Sequence, residues 1–229
     1  MIELDIFQIR ILFALVMLGS ATIIDIRSRE ISDLMWIVFG AVSVVLLFFE
    51  PNVLEAAFGV GFSLIVAPLV LILWRFGLFG GADALGLIVL SALAPMATFS
   101  DSPVSPFTIL VNSALLSVSP MVVNFIRNSI LILKKENIFQ DFDEPKSKKI
   151  LAMFLGYRSK NPKYSFSLET KVGKKKRLNI ALHHSDTAEY CTTPNTWVTP
   201  GLPYMIFILG GFIIQLLFGD VILSFIGLT

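Results

Sequence analysis

Six long apolar runs, at approximately 6–25, 34–50, 53–75, 84–100, 106–130 and 201–222, alternate with polar breaks along this chain. A helix needs roughly 20 apolar residues to cross a hydrocarbon core of about 30 Å. The pattern therefore predicts six membrane-crossing helices. The breaks at 51–52 and 101–105 are short and are bounded or interrupted by Pro51, Pro103 and Pro106, as tight turns between antiparallel helices should be. Pro68 and Pro95 fall inside runs three and four, where each should kink a helix. Only 134–200 is long and polar. The expected fold class is an all-α membrane protein, six transmembrane helices with a cytoplasmic insertion before the last. Three parts follow: 1–133 with helices one to five, 134–200 as a charged segment, and 201–229 with helix six.

Composition agrees. Of 229 residues, 55% are hydrophobic and 15% charged, where a soluble domain carries about a quarter charged residues. Ile11 to Thr22 could pass for the apolar part of a signal peptide, but five more apolar runs follow it instead of a secreted domain. One cysteine, Cys191, excludes an intramolecular disulfide and a Cys-rich zinc module.

Charge sets direction. Of the 18 lysines and arginines, 13 lie in 134–200; the rest are Arg10, Arg27, Arg29, Arg75 and Arg127. With six spans, the loops after runs one, three and five share one side and collect nearly all of this charge. The positive-inside rule makes that side cytoplasmic. A multi-pass protein of the cell membrane with both termini outside is expected, and 134–200 in the cytoplasm.

Asp25 closes the first run, in ATIIDIRSREISD, and Asp83 opens the fourth, in GLFGGADALGLIVL. Topology brings both to one membrane depth. Arg10 can snorkel outward on its long stem, whereas Asp25 is too short to do so. A carboxylate in the membrane costs at least about 2.5–3.5 kcal/mol, so such residues usually serve a function. Two aspartates close together in low dielectric share one proton. The ionised one can take a proton from water while the protonated one donates to a carbonyl oxygen. Gly80 and Gly81 would let an extended peptide approach and would supply unusual φ angles. Ala82 keeps the approach uncrowded, and Arg27 and Arg29 are placed to support an ionised Asp25. A plainer reading fits the pattern equally: Asp83 as a helix N-cap, and Asp25 as an interfacial residue with two arginine anchors.

Gly80-Gly81-Ala82-Asp83 resembles the GxGD signature of membrane-embedded aspartic proteases. Asp25-Ile26-Arg27-Ser28-Arg29-Glu30-Ile31 resembles the partner motif of type IV prepilin peptidases. Within that group the chain is most similar to archaeal preflagellin peptidases, with their six spans, cytoplasmic segment and Trp-Val-Thr-Pro entry to the last span, here Trp197-Val198-Thr199-Pro200. The second motif glycine is replaced by Ala82. The resemblance implies an endopeptidase with Asp25 and Asp83 catalytic and no cofactor. It implies substrates of the preflagellin or type IV pilin-like precursor class, each with a basic leader before a hydrophobic helix. Bacterial relatives carry a tetracysteine zinc motif and N-methylate their product; with one cysteine, neither is expected here.

Other features carry less. Ser113, Ser117, Asn124 and Arg127 or Asn128 recur at helical spacing and suit interhelical hydrogen bonds. Gly59, Gly61, Gly210 and Gly211 suggest close helix contacts. His183, His184, Asp186, Glu189 and Cys191 lack the spacing of a known metal site, so no metal is expected. Lys174 to Arg177 should meet anionic lipid headgroups, and with no aromatic interleaving nucleic acid is not an expected partner. Asp220 is placed near the outer interface. Two alternatives compete: a six-span ion-coupled transporter using the acids as cation or proton sites, and a scaffold presenting 134–200 to partners.

Overall fold

The structure is a computed structural model that describes residues 5–102, 104–140, 142–172, 175–180 and 188–227. Pro103, Lys174, His183, His184 and Asp186 lie outside the described residues. The chain forms two compact units, one of Met1–Leu116 with Pro203–Thr229 and one of Ser117–Leu202.

The first unit is helical: α1 (Ile6–Ser28), α2 (Asp33–Leu47), α3 (Val53–Ser63), α4 (Val66–Arg75), α5 (Gly81–Leu93), α6 (Thr108–Ser117, ending at the unit boundary), α9 (Met205–Phe218) and α10 (Val221–Phe225). In α1 the buried positions Ile11, Ala14, Leu18, Ala21 and Thr22 recur every three or four residues, one stripe of a helix. α1 stops where Arg29 takes the left-handed conformation, φ 63°, and returns its N–H to the Asp25 carbonyl. Ser32 and Asn52 cap α2 and α3 with their side chains. Pro68 has no N–H for the Leu64 carbonyl four residues back, and the helix breaks there, between α3 and α4.

Pro95 acts differently from expectation. It ends the fourth run rather than kinking it, because the residue before a proline is pushed out of the helical region. Ala94 has φ −132° and ψ 61°, and α5 stops at Leu93. Arg10 also departs from expectation. Instead of snorkelling it is buried, its Nε 2.7 Å from Glu50 Oε1 and its Nη1 donating to the Leu93 carbonyl at 2.9 Å. That one side chain ties the start of α1 to the ends of α2 and α5.

Helical stretches Ile6–Ser28, Val53–Arg75 and Thr108–Leu133 are long and apolar enough to cross a membrane. α2, α5 and α9 are apolar but have 15, 13 and 14 residues, so they reach only about 20–23 Å. Three of the six predicted spans thus have full length among the described residues. The core of the unit is built from Met17, Leu18, Leu87, Leu90, Ile208 and Phe212. Outward positions such as Ile37, Val44, Phe48 and Phe58 are apolar too. Helices apolar on every side suit lipid rather than water: this is a membrane protein.

The second unit corrects the all-α expectation. α7 (Ser119–Leu133) and α8 (Lys146–Leu155) are joined by β1 (Tyr157–Ser159), β2 (Ser165–Ser167), β3 (Glu169–Val172), β4 (Lys175–Leu178) and β5 (Thr196–Pro200). β5 runs antiparallel between β1 and β2, while β3 and β4 form a hairpin. The Trp-Val-Thr-Pro stretch is this central strand. Trp197 is fully buried, stacked on Phe139 at 4.6 Å and donating from Nε1 to the Ala152 carbonyl at 3.3 Å. β-branched and aromatic residues favour such half-buried pleated positions.

The asparagines of α7 bond to α8 as the spacing suggested. Asn128 Nδ2 donates to the carbonyls of Met153 (2.9 Å) and Gly156 (2.7 Å), and Asn124 Nδ2 to that of Phe154 (3.4 Å). Ser113 instead bonds back to Ile109 in its own helix. Gly211 packs directly on Ser113, and a side chain at Gly210 would strike Leu116 at 2.7 Å. Gly59 and Gly61 have nothing within 4 Å of a would-be Cβ and mark no close contact. Asp220 is buried. It caps α10 through the N–H groups of Ile222 and Leu223 and accepts from Thr108 Oγ1 at 3.0 Å and Ser105 Oγ at 3.3 Å.

Candidate active site

Asp25 lies one turn from the end of α1, half-buried. Its Oδ2 accepts the backbone N–H of Met205 at 3.3 Å. Met205 is the first residue of α9, so the carboxylate faces a helix N-terminus, where unpaired N–H groups and the helix dipole favour negative charge. Arg29 is within electrostatic reach of Asp25. Arg27, in the last turn of α1, is exposed.

Asp83 is half-buried at the third position of α5. The N-cap is Gly80, not Asp83 as the plainer reading had it. Asp83 Oδ2 reaches back to accept the Gly80 N–H at 3.0 Å, the acidic half of a capping box. Helix capping therefore accounts for one oxygen of this carboxylate. Gly80 has φ −76° and ψ 164°, an ordinary extended conformation, so the expected unusual φ is not used there. Gly77 provides the left-handed residue in this turn, with φ 73°. Gly81 lets the Trp74 indole come close: a Cβ would lie 3.4 Å from Nε1. Ala82 packs against the core in the first helical turn. Alanine suits a helical position, so its replacement of the motif glycine costs the backbone nothing.

Two contacts join this turn to the start of α9. Phe79, before Gly80, stacks on Tyr204, before Met205, with centroids 5.6 Å apart. Gly86, one turn after Asp83, faces Met205 from below: a Cβ there would stand 2.9 Å from Met205 Cε and 3.1 Å from Trp36 Cη2. Met205 thus gives its N–H to Asp25 and its side chain to the helix that carries Asp83. Asp25, and the Phe79 and Gly86 that flank Asp83 on either side, thus touch the start of one third helix, and α1, α5 and α9 pack on one another.

Phe79, Gly86, Trp36, Tyr204 and Met205 were not singled out from the sequence. The only signal was proximity to the motifs, Gly86 three residues beyond Asp83 and Met205 just past the Trp-Val-Thr-Pro stretch. Of the considered metal ligands, Cys191 is a buried residue whose Sγ contacts the Thr193 carbonyl at 3.8 Å. A cavity of about 240 Å³ opens at the far end of α1, lined by Phe7, Arg10, Glu50, Val60 and Pro95. It is remote from the acids.

With this geometry in hand, comparison with known proteins is specific. The model of the type IV leader peptidase family matches residues 12–122, and that of the archaeal peptidase A24 C-terminus, type II, matches 137–221. The preflagellin peptidase of Methanocaldococcus jannaschii is 25% identical over 232 aligned residues, covering 89% of this chain and 91% of the relative. That of Methanococcus maripaludis is 25% identical over 225, covering 90% and 93%. These matches lend the transporter alternative no support. Two models of one peptidase family lie side by side along the chain, which belongs to the type IV leader peptidase family and is an aspartic protease of the membrane.

Proposed function

We propose that this enzyme removes basic leader peptides from preflagellin and type IV pilin-like precursors at the cytoplasmic face of the membrane, with Asp25 and Asp83 as the catalytic pair. The observation that carries the reading is that the start of α9 bonds Asp25 and also packs on Phe79 and Gly86, the residues four before and three after Asp83. The names of the relatives supply the substrate class.

The chemistry needs only these side chains and water. One aspartate, ionised, removes a proton from a water whose oxygen attacks the scissile carbonyl; the other, protonated, donates its proton to the carbonyl oxygen. The resulting gem-diol collapses as its C–N bond breaks: one hydroxyl returns its proton to the ionised aspartate, and the protonated one gives its proton to the leaving amine. Which aspartate begins as base is left open. Backbone N–H donors already fix one oxygen of each carboxylate. A carboxylate so held needs little reorganisation when charge moves.

The topology belongs to the same proposal. Six spans, with both termini outside and 134–200 in the cytoplasm, would place the junction between a basic leader and its hydrophobic helix at the depth of the pair. Arg27 and Arg29 then mark the cytoplasmic boundary and membrane lipids surround the helices. No nucleic acid or cofactor takes part. The test is to mix the protein, reconstituted in vesicles, with a membrane-inserted preflagellin and to identify the new N-terminus by mass spectrometry. A single cut between leader and hydrophobic helix is expected; an intact precursor would reject the substrate.

A further inference from the structure

α8 lies in the charged segment expected on the cytoplasmic side, and its contacts tie it to α7, the last part of a helical stretch long and apolar enough to cross a membrane. Its last turn docks on α7 through Asn124 and Asn128, and Phe154 stacks on Phe125 with centroids 4.3 Å apart. Asn124 and Asn128 lie about one and a half to two and a half turns before Leu133, where α7 ends. The stretch Thr108–Leu133 has 26 residues, about 39 Å of helix against a core of about 30 Å. The excess is about six residues, those after Arg127, whose guanidinium sits 4.1 Å from the Tyr157 ring centroid. Docking of the last turn of α8 on this end of α7 is the observation that points to the edge of the hydrocarbon.

The face that α8 leaves uncovered is mixed in a particular way. Ala152 and Met153 are buried, whereas Lys146, Ser147, Ile150 and Leu151 are exposed on one side of the helix. Ile150 is 52% and Leu151 47% exposed, and Leu133, at the end of α7, is 81% exposed. Lys134 and Lys135 follow Leu133 directly and are also exposed. Exposed apolar side chains and exposed lysines on α8 and at the end of α7 supply the charge and polarity of a surface for anionic lipid.

We propose that α8 is an interfacial helix, with Leu133, Ile150 and Leu151 inserted at the acyl boundary of an anionic leaflet and Lys134, Lys135 and Lys146 at its headgroups. The surface is distinct from the β3–β4 lysines and independent of the peptidase reading.

The experiment uses the full chain with Cys191→Ser and an environment-sensitive fluorophore on Leu151→Cys, or on Lys160→Cys as an exposed control. Both are reconstituted in phosphatidylcholine vesicles with and without phosphatidylglycerol. The label at 151 should be quenched by spin-labelled lipid about twofold or more beyond the label at 160, and the excess should grow with phosphatidylglycerol. Lys135→Glu with Lys146→Glu should remove that growth. Equal access of aqueous iodide to both labels would overturn the proposal. So would protection of position 151 from both quenchers, which would mean a protein partner, or an anionic-lipid effect that survives both lysine changes.

Discussion

Gly86 has no side chain because two others occupy its space. Met205 Cε and the Trp36 ring edge would stand 2.9 and 3.1 Å from a Cβ there. Gly86→Leu must push both aside, and overpacking of this kind costs about 1–3 kcal/mol. Because Met205 also holds Asp25, cleavage should fall further than the loss of thermal stability accounts for; comparing initial rate with melting temperature checks this. At the other end of α1, Arg10→Ala would strip Glu50 of its partner and leave the Leu93 carbonyl unbonded. Removing one member of a fully buried ion pair costs about 3–5 kcal/mol; with Glu50 only half-buried, the loss here should be smaller. Arg10→Ala with Glu50→Gln should recover part of it, read as a rise in melting temperature over the single variant. Legibility at this scale is uneven. Asp25 and Asp83 stand out in sequence because acids beside apolar runs are rare and costly. Gly86, Trp36 and Met205 do not, since each matters only through a neighbour far along the chain. Nor did Arg10 reveal its burial, because snorkelling and pairing leave the same trace in a sequence.

Among elements, apolar runs located the helices well and their ends less well. Pro68 split one run as a proline should, while Pro95 ended another at Leu93 by moving Ala94 out of the helical region. The helices α2, α5 and α9 fall short of a bilayer's thickness although their runs looked longer. The difference is that apolar loop residues such as Ala97 pack into the core and read as helix. The strands of the second unit were invisible because three to five residues leave no measurable period, and β5 resembled the approach to a helix. The asparagines of α7 were legible as hydrogen-bonding residues, but not their partner, α8. Asn128→Leu should leave the Met153 and Gly156 carbonyls unpaired, at about 1–3 kcal/mol for a buried orphan. Asn124→Leu, losing one bond of 3.4 Å, should lower the melting temperature less.

For the whole molecule, two units and one family account for most of the chain, and the positive-inside argument supplies a direction. A single cysteine at Lys163, in a Cys191→Ser background, should react with a membrane-impermeant maleimide only in inside-out vesicles. Reaction in right-side-out vesicles would reverse the proposed topology.

The proposed chemistry assigns catalysis to Asp25 and Asp83 as a pair, and Asn substitution of each tests it most directly. Asp83→Asn keeps an amide oxygen to accept the Gly80 N–H, so the cap survives while the acid–base group is lost. Asp25→Asn likewise keeps an acceptor for Met205. In reconstituted vesicles, each variant should match the parent in melting temperature and lose about 10³-fold or more in preflagellin cleavage. Cleavage by either purified variant at the parent rate would contradict the pair.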